Sequence, residues 1–228
     1  MGQRAREGAR CPGARAGEEG RVTLRLPRLL GIVDTALCAR LGLDPVKLVD
    51  DLLEAGLPML RLRATGLPPD EHLALAARCA GLAREANTPF VVSDRVDIAR
   101  LVGAGVHLPV RGLGVGDARA LLPPDLPVGR SAHDGAELEA ASAADYATLS
   151  PVHTSTSKPD HHPRLAIGAL RSLARKTPVP VFALGGAGPA DAALVPDFHG
   201  IALLGPLHGL GARPAAEVIA SCIRALPP

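Results

Sequence analysis

From Leu29 onward one pattern recurs eight times: a short apolar run of four to seven residues, then a longer stretch rich in Ala, Leu, Glu and Arg. The runs cover 29–34 (LLGIVD), 58–63 (PMLRLR), 90–93 (FVVS), 105–108 (GVHL), 127–131 (PVGRS), 145–150 (DYATLS), 180–185 (PVFALG) and 199–205 (HGIALLG). Continuous apolar runs suit strands buried on both faces, and parallel neighbours need helical crossovers between them. Asp44-Pro45 opens the first helix, a capping residue followed by proline at the first helical position. Pro68-Pro69-Asp70-Glu71 opens the second, with acidic residues in its first turn. Further helices are expected over 94–102, 115–122, 134–142, 166–176, 189–194 and 214–225. Eight strands alternating strictly with eight helices predict an α/β chain that closes into a single-domain (β/α)8 TIM barrel. Residues 29–228 give it 200 positions. An open doubly wound sheet would want a glycine fingerprint after the first strand, where Val33-Asp34-Thr35-Ala36 stands instead. Gly112, Gly114 and Gly116 read as loop glycines.

Composition narrows the function. Hydrophobic residues reach 47% against 21% charged, enough for a sizeable core. Aromatics are 2%, too few for modules that stack on bases. The net charge of +2 belongs to the N-terminus. Residues 1–28 hold seven Arg and three Glu, which leaves 18 basic and 20 acidic residues for 29–228. Residues 1–28 therefore read as a disordered basic extension, and the barrel as near-neutral, with no phosphate-tracking surface for nucleic acid. Cys11, Cys38, Cys79 and Cys222 are scattered and read as reduced thiols. No apolar run is long enough to span a membrane, and Arg6 breaks a myristoylation motif. A cytoplasmic protein is expected, with no nucleic-acid or membrane partner, and a homo-oligomer is compatible with this reading.

In such a barrel the chemistry sits at the carboxyl ends of the strands. Polar residues cluster there: Arg61 and Arg63, Ser93-Asp94-Arg95, His107, Ser131 with His133, and the run from Ser150 to Lys158. Gly185-Gly186 and Gly205 follow strands seven and eight, where backbone N–H groups can hold a phosphate. Ser155, Ser157 and Lys158 would add hydroxyls and a cation. His133 can take and return a proton near neutrality. By position alone it is as readily an ordinary helix-start neighbour. His107, inside a strand, reads as a core histidine. His161-His162 make no metal pair alone, with no third ligand spaced nearby.

From about Leu29 to Pro228 the chain resembles the thiamine phosphate synthase/TenI family. The resemblance rests on Arg61-Leu62-Arg63, Ser93-Asp94-Arg95-Val96-Asp97-Ile98-Ala99, Gly103-Ala104-Gly105-Val106-His107-Leu108, Gly129-Arg130-Ser131-Ala132-His133, Asp145-Tyr146, the loop from Ser150 to Lys158, and Ala183-Leu184-Gly185-Gly186. It implies a (β/α)8 barrel and one of two activities. The synthases join a pyrimidine diphosphate to a thiazole phosphate with Mg²⁺. TenI-type members include thiazole tautomerases, which isomerise a thiazole carboxylate phosphate, and proteins without clear activity.

Departures from the synthase pattern favour the TenI branch. Thr65 stands where Gln-Leu-Arg-x-Lys has its Lys, and Ser93 replaces Asn in Asn-Asp. The run His107-Leu108-Pro109-Val110-Arg111-Gly112 lacks the Mg²⁺-binding Asp of His-x-Gly-Gln-x-Asp and brings Arg111 nearby. Gly129-Arg130-Ser131-Ala132-His133 is close to the TenI form, whose His is the proposed acid/base. The resemblance therefore implies a thiazole tautomerase with His133 catalytic, and Arg61 or Arg63 pairing with the substrate carboxylate. Ser93, Asp94, Ser131, Ser155, Ser157 and Lys158 would contact substrate, with the phosphate on Gly185, Gly186 and Gly205. No metal or other cofactor is expected. The alternatives are a divergent synthase, which would need Mg²⁺, and a non-catalytic barrel that binds a phosphorylated thiazole or thiamine. His153 and Thr154 depart from the family's usual Phe/Tyr-containing loop.

Overall fold

The computed structural model describes residues 26–154, 165–194 and 196–227. Eight parallel strands close on themselves: β1 (Leu29–Asp34), β2 (Leu60–Arg63), β3 (Phe90–Ser93), β4 (Gly105–Leu108), β5 (Val128–Ala132), β6 (Tyr146–Leu149), β7 (Val181–Ala183) and β8 (Gly200–Leu203). β1 pairs with β2 through Gly31 opposite Leu60, and with β8 through Leu30 opposite Ala202, which shuts the barrel. Closure leaves no sheet edge for another chain to pair with. The expected fold is the fold found.

The crossovers depart from strict alternation. Two helices follow β1, α1 (Thr35–Leu41) and α2 (Pro45–Glu54). Asp34 ends the strand and caps α1, accepting the Leu37 N–H at 3.0 Å. Asp44 caps α2 from Val46 and Lys47 as expected, with Pro45 at the first turn. Next come α3 (Pro69–Glu85), α4 (Val96–Val102), α5 (Val115–Leu121), α6 (Gly135–Glu139), α7 (Ile167–Lys176) and α8 (Ala215–Ala225). α4 starts two residues later than expected because Asp94 takes a left-handed φ of 67°, outside any right-handed helix. Gly116 lies within α5 rather than in a loop. Between β7 and β8 the six residues Pro189–Leu194 wind as a 3-10 helix, and a second 3-10 turn, Gly205–His208, precedes α8.

Side chains sort by strand alternation. Leu29, Val33, Leu60, Leu62, Val92, Val106, Leu108, Val128, Leu149 and Leu203 face the helices in one large cluster. Leu30, Ile32, Met59, Val91, Tyr146, Phe182 and Ala202 form a second cluster, which fills the barrel. Tyr146 fits because Gly129 lies opposite it: a Cβ at Gly129 would stand 2.2 Å from the ring. The lower end is closed by Leu26–Arg28, placed by sequence in the extension. Arg28 O accepts from Ile201 N–H, and the His199 ring reaches the carbonyls of Leu26 and Pro27 at 3.1 and 3.2 Å.

Candidate active site

Above the apolar filling, the inward positions turn polar. Arg61 on β2 is 7% exposed, and its Nε–H donates to Ser93 Oγ on β3 at 2.8 Å. Burial pushes its guanidinium down to about 10. His107 on β4 is fully buried, bonded through Nδ1 to the Tyr146 hydroxyl at 3.1 Å and through Nε2 to Ser131 Oγ at 3.0 Å. Burial, with the Arg61 charge added, holds His107 well below the ordinary histidine range, so it is neutral. This is the core histidine that its position within a strand suggested.

Over this layer opens a cavity of about 520 Å³ at the carboxyl ends of the strands. Arg61, Arg63, Arg111, Ser131, His133, Glu137 and Ser150 line it, with Ile32, Leu184, Leu204 and the loop after β4. Arg130 holds that loop by donating to the carbonyls of Leu113 and Val110, both at 3.0 Å. Arg63 pairs with Asp34. The Asp34 N–H donates to His208 Nε2 at 3.1 Å, and His208 Nδ1 lies 2.8 Å from Leu204 O. Since Nε2 accepts, Nδ1 must carry the proton and donate to that carbonyl, so His208 is neutral.

His133 stands between β5 and α6. Its backbone N–H and its ring Nδ1–H both donate to Glu137 Oε2, at 2.7 and 2.8 Å. Asp134 caps α6 by accepting the Glu137 N–H at 2.9 Å. Asp-x-x-Glu is the spacing of a capping box, here with the carboxylate reaching one residue further back than usual. With Nδ1–H committed, the lone pair of neutral His133 resides on Nε2. A carboxylate–imidazole pair at a cavity wall can take a proton, hold the resulting charge and give the proton back.

The structure thus brings Arg61, Arg63, Ser131 and His133 to one cavity, with Ser93 behind Arg61. Asp94 is not among the lining residues; its exposed carboxylate lies beside the loop at Gly112. Gly185 and Gly186 have left-handed φ values of 87° and 70°, and Cβ atoms there would stand 2.7 Å from Pro151 and His153. The close approach of the loops after β6 and β7 is reason enough for this glycine pair. Their neighbour Leu184 lines the cavity, as does Leu204 beside Gly205. Ser155, Ser157, Lys158 and His161-His162 lie outside the described residues. Sequence reasoning passed over Glu137, Asp34 and His208. Glu137 carried a signal, the Asp134-to-Glu137 capping spacing.

A magnesium ion fits the described residues poorly. Glu137 is committed to His133 and Asp34 to Arg63, and three arginines line the cavity. Among the described residues no group of three His, Cys, Asp or Glu is placed to hold a metal. No described helix is long and apolar enough to cross a membrane.

Residues 29–205 match the profile of the family described as thiamine monophosphate synthase. A bifunctional ThiM/ThiE thiamine-biosynthesis protein of Symbiobacterium thermophilum is 35% identical over 205 residues, covering 85% of this chain and 43% of its own length. The thiamine-phosphate synthase of Laribacter hongkongensis is 35% identical over 167 residues, 72% of this chain and 78% of its own. Among solved structures, thiamine phosphate pyrophosphorylase from Pyrococcus furiosus superposes with a TM-score of 0.73 at 27% identity, covering 87% of this chain and 94% of that one.

Proposed function

The chain belongs to the thiamine monophosphate synthase family, and from that premise we propose that its cavity works on a phosphorylated thiazole in thiamine biosynthesis, with His133 moving the proton. The observation that carries this reading is the His133–Glu137 pair at the cavity wall. In a tautomerisation, Nε2 takes a proton from one atom of the heterocycle. Glu137 holds the imidazolium, and the proton returns to another atom, so substrate and product are isomers and no co-reactant is consumed. The phosphate would lie toward Arg111 and the loops after β7 and β8, where Gly185, Gly186 and Gly205 stand.

The names of the relatives favour a second reading, thiamine phosphate formation from a pyrimidine diphosphate and a thiazole phosphate. The proton shift is favoured over condensation because Thr65 and Gly112 stand where the synthase pattern has its Lys and Asp, Arg111 lies beside the missing carboxylate, and the cavity is cationic. His133→Ala should lower isomerisation of a thiazole carboxylate phosphate by roughly 10²–10⁴-fold while the phosphorylated ligand still binds. Full activity in that variant overturns the assignment. Magnesium-dependent formation of thiamine phosphate by the purified protein would establish the second reading. Tight binding with turnover in neither assay would make the barrel a binder.

A further inference from the structure

His107 on β4, Gly129 on β5 and Tyr146 on β6 share one row of the barrel interior, each in register with the next. Gly129 has no side chain, so the Tyr146 ring crosses over it to meet the imidazole, with ring centres 5.4 Å apart. Two residues further along these strands, Ser131 and Thr148 pair in the next row. His107, Tyr146 and Thr148 are fully buried, whereas Ser131 lines the cavity. The hydrogen bonds of this column have a direction, fixed from its closed end. Burial raises the Tyr146 phenol, so its oxygen keeps the proton. A buried O–H needs an acceptor, and among the described residues its partner is His107 Nδ1 at 3.1 Å. Nδ1 therefore holds the lone pair, and the proton of the neutral imidazole is on Nε2. Nε2–H donates to Ser131 Oγ at 3.0 Å, with Thr148 Oγ1 further off at 3.4 Å. Ser131 Oγ thus accepts from below. Its own O–H meets no acceptor among the described residues and is left for whatever enters the cavity.

We propose that Tyr146 and His107 are positioning residues that fix Ser131 as a hydrogen-bond donor facing the cavity, so that the ligand atom beside it must offer a lone pair. A ligand that presents an N–H or O–H at this point meets another hydrogen and is selected against. Ser131 and His133 lie two residues apart on the same cavity wall. When His133 takes a proton from the ligand, the electron pair left behind spreads over the ligand. An O–H already turned toward it stabilises that state without reorganising. Ser131 keeps its proton throughout, and His133 alone changes protonation. This catalytic role rests on the proposed function; the direction of the hydrogen bonds does not.

Nitrogen NMR of the isotope-labelled full-length protein at neutral pH tests the direction, because a ring nitrogen that carries a proton resonates far from a bare one. His107 should show a protonated Nε2 and a bare Nδ1. Tyr146→Phe keeps a ring over Gly129 but removes the O–H, and the tautomer protonated on Nδ1 should then appear. In the same variant kcat for isomerisation should fall about threefold to tenfold, the worth of one neutral hydrogen bond, with KM within about twofold. Ser131→Ala should lower kcat about a hundredfold, again with little change in KM. A proton on Nδ1 in the wild type, or a tautomer unmoved in Tyr146→Phe, overturns the proposal. So does an isomerase whose Ser131→Ala variant keeps full kcat. A purely structural role would lower stability in Tyr146→Phe and leave both tautomer and kcat unchanged. If Tyr146→Phe misfolds by circular dichroism, the wild-type tautomer decides. A protonated Nε2 in a protein without isomerase activity keeps the positioning pair and removes the tautomerase reading. Isomerase activity with the proton on Nδ1 does the reverse.

Discussion

At the scale of single residues, the neighbours that hold the site's side chains matter as much as those side chains. Glu137 accepts two hydrogen bonds from His133, one from the backbone and one from the ring, and so fixes both the position and the tautomer of the imidazole. Glu137→Gln keeps an acceptor oxygen but removes the charge that steadies the imidazolium. A charge-assisted hydrogen bond contributes about 1.5–3 kcal/mol, so kcat should fall about tenfold to a hundredfold with KM little changed. Steady-state kinetics decide it; an equal rise in KM would point to a binding role instead. The candidate site was partly legible at this scale. Arg61, Arg63, Ser131 and His133 stand at strand ends in an otherwise apolar pattern, and the barrel brings them together. Asp34 was hidden because a carboxylate that ends a strand and caps the next helix looks like ordinary punctuation. His208 was hidden because its partner, the Asp34 N–H, lies 174 residues away.

At the scale of elements, the eight strands were readable from hydrophobic runs alone, because a strand covered on both faces has little choice of composition. The crossovers were less so. α1 has only seven residues, too few for a helical period to show, and its start is set by the Asp34 cap. What the runs could not reveal is how inward positions share volume. Gly129 and Tyr146 are register partners on β5 and β6, and the ring occupies the space that a side chain at Gly129 would need. Gly129→Ala should therefore destabilise the fold by about 1–3 kcal/mol, the usual cost of overpacking, read as a lower urea midpoint. The double variant Gly129→Ala/Tyr146→Ala should be less destabilised than the sum of its single changes. Strict additivity would show that the two positions do not compete for the same space.

At the scale of the whole molecule, histidines tie the barrel together from bottom to top, and burial disfavours the charged form of each. His199 bonds the chain entry at Leu26 and Pro27, His107 sits in the polar layer, and His208 joins β1 to the turn after β8. His72 is packed into the α3 face with its Nε2 unpartnered among the described residues. Burial is the main cause that lowers all four below the ordinary value of 6.5. The unfolded chain takes up protons near pH 6.5, whereas the folded barrel does so only at lower pH. Stability is therefore full above pH 6.5 and is lost as pH falls below it. His107, depressed furthest and fully buried, should alone account for up to about 1.4 kcal/mol per pH unit in that range. Carboxylates do not obscure the effect, because Asp97, held near 2 by its bond from Arg95, matters only where unfolded carboxyl groups begin to protonate, around pH 4. Urea unfolding at pH 7.5 and 5.5 should give a clearly lower midpoint at 5.5 with an unchanged slope. Equal midpoints would mean that the folded barrel takes up protons as readily as the unfolded chain, so that burial does not hold these histidines below their ordinary value.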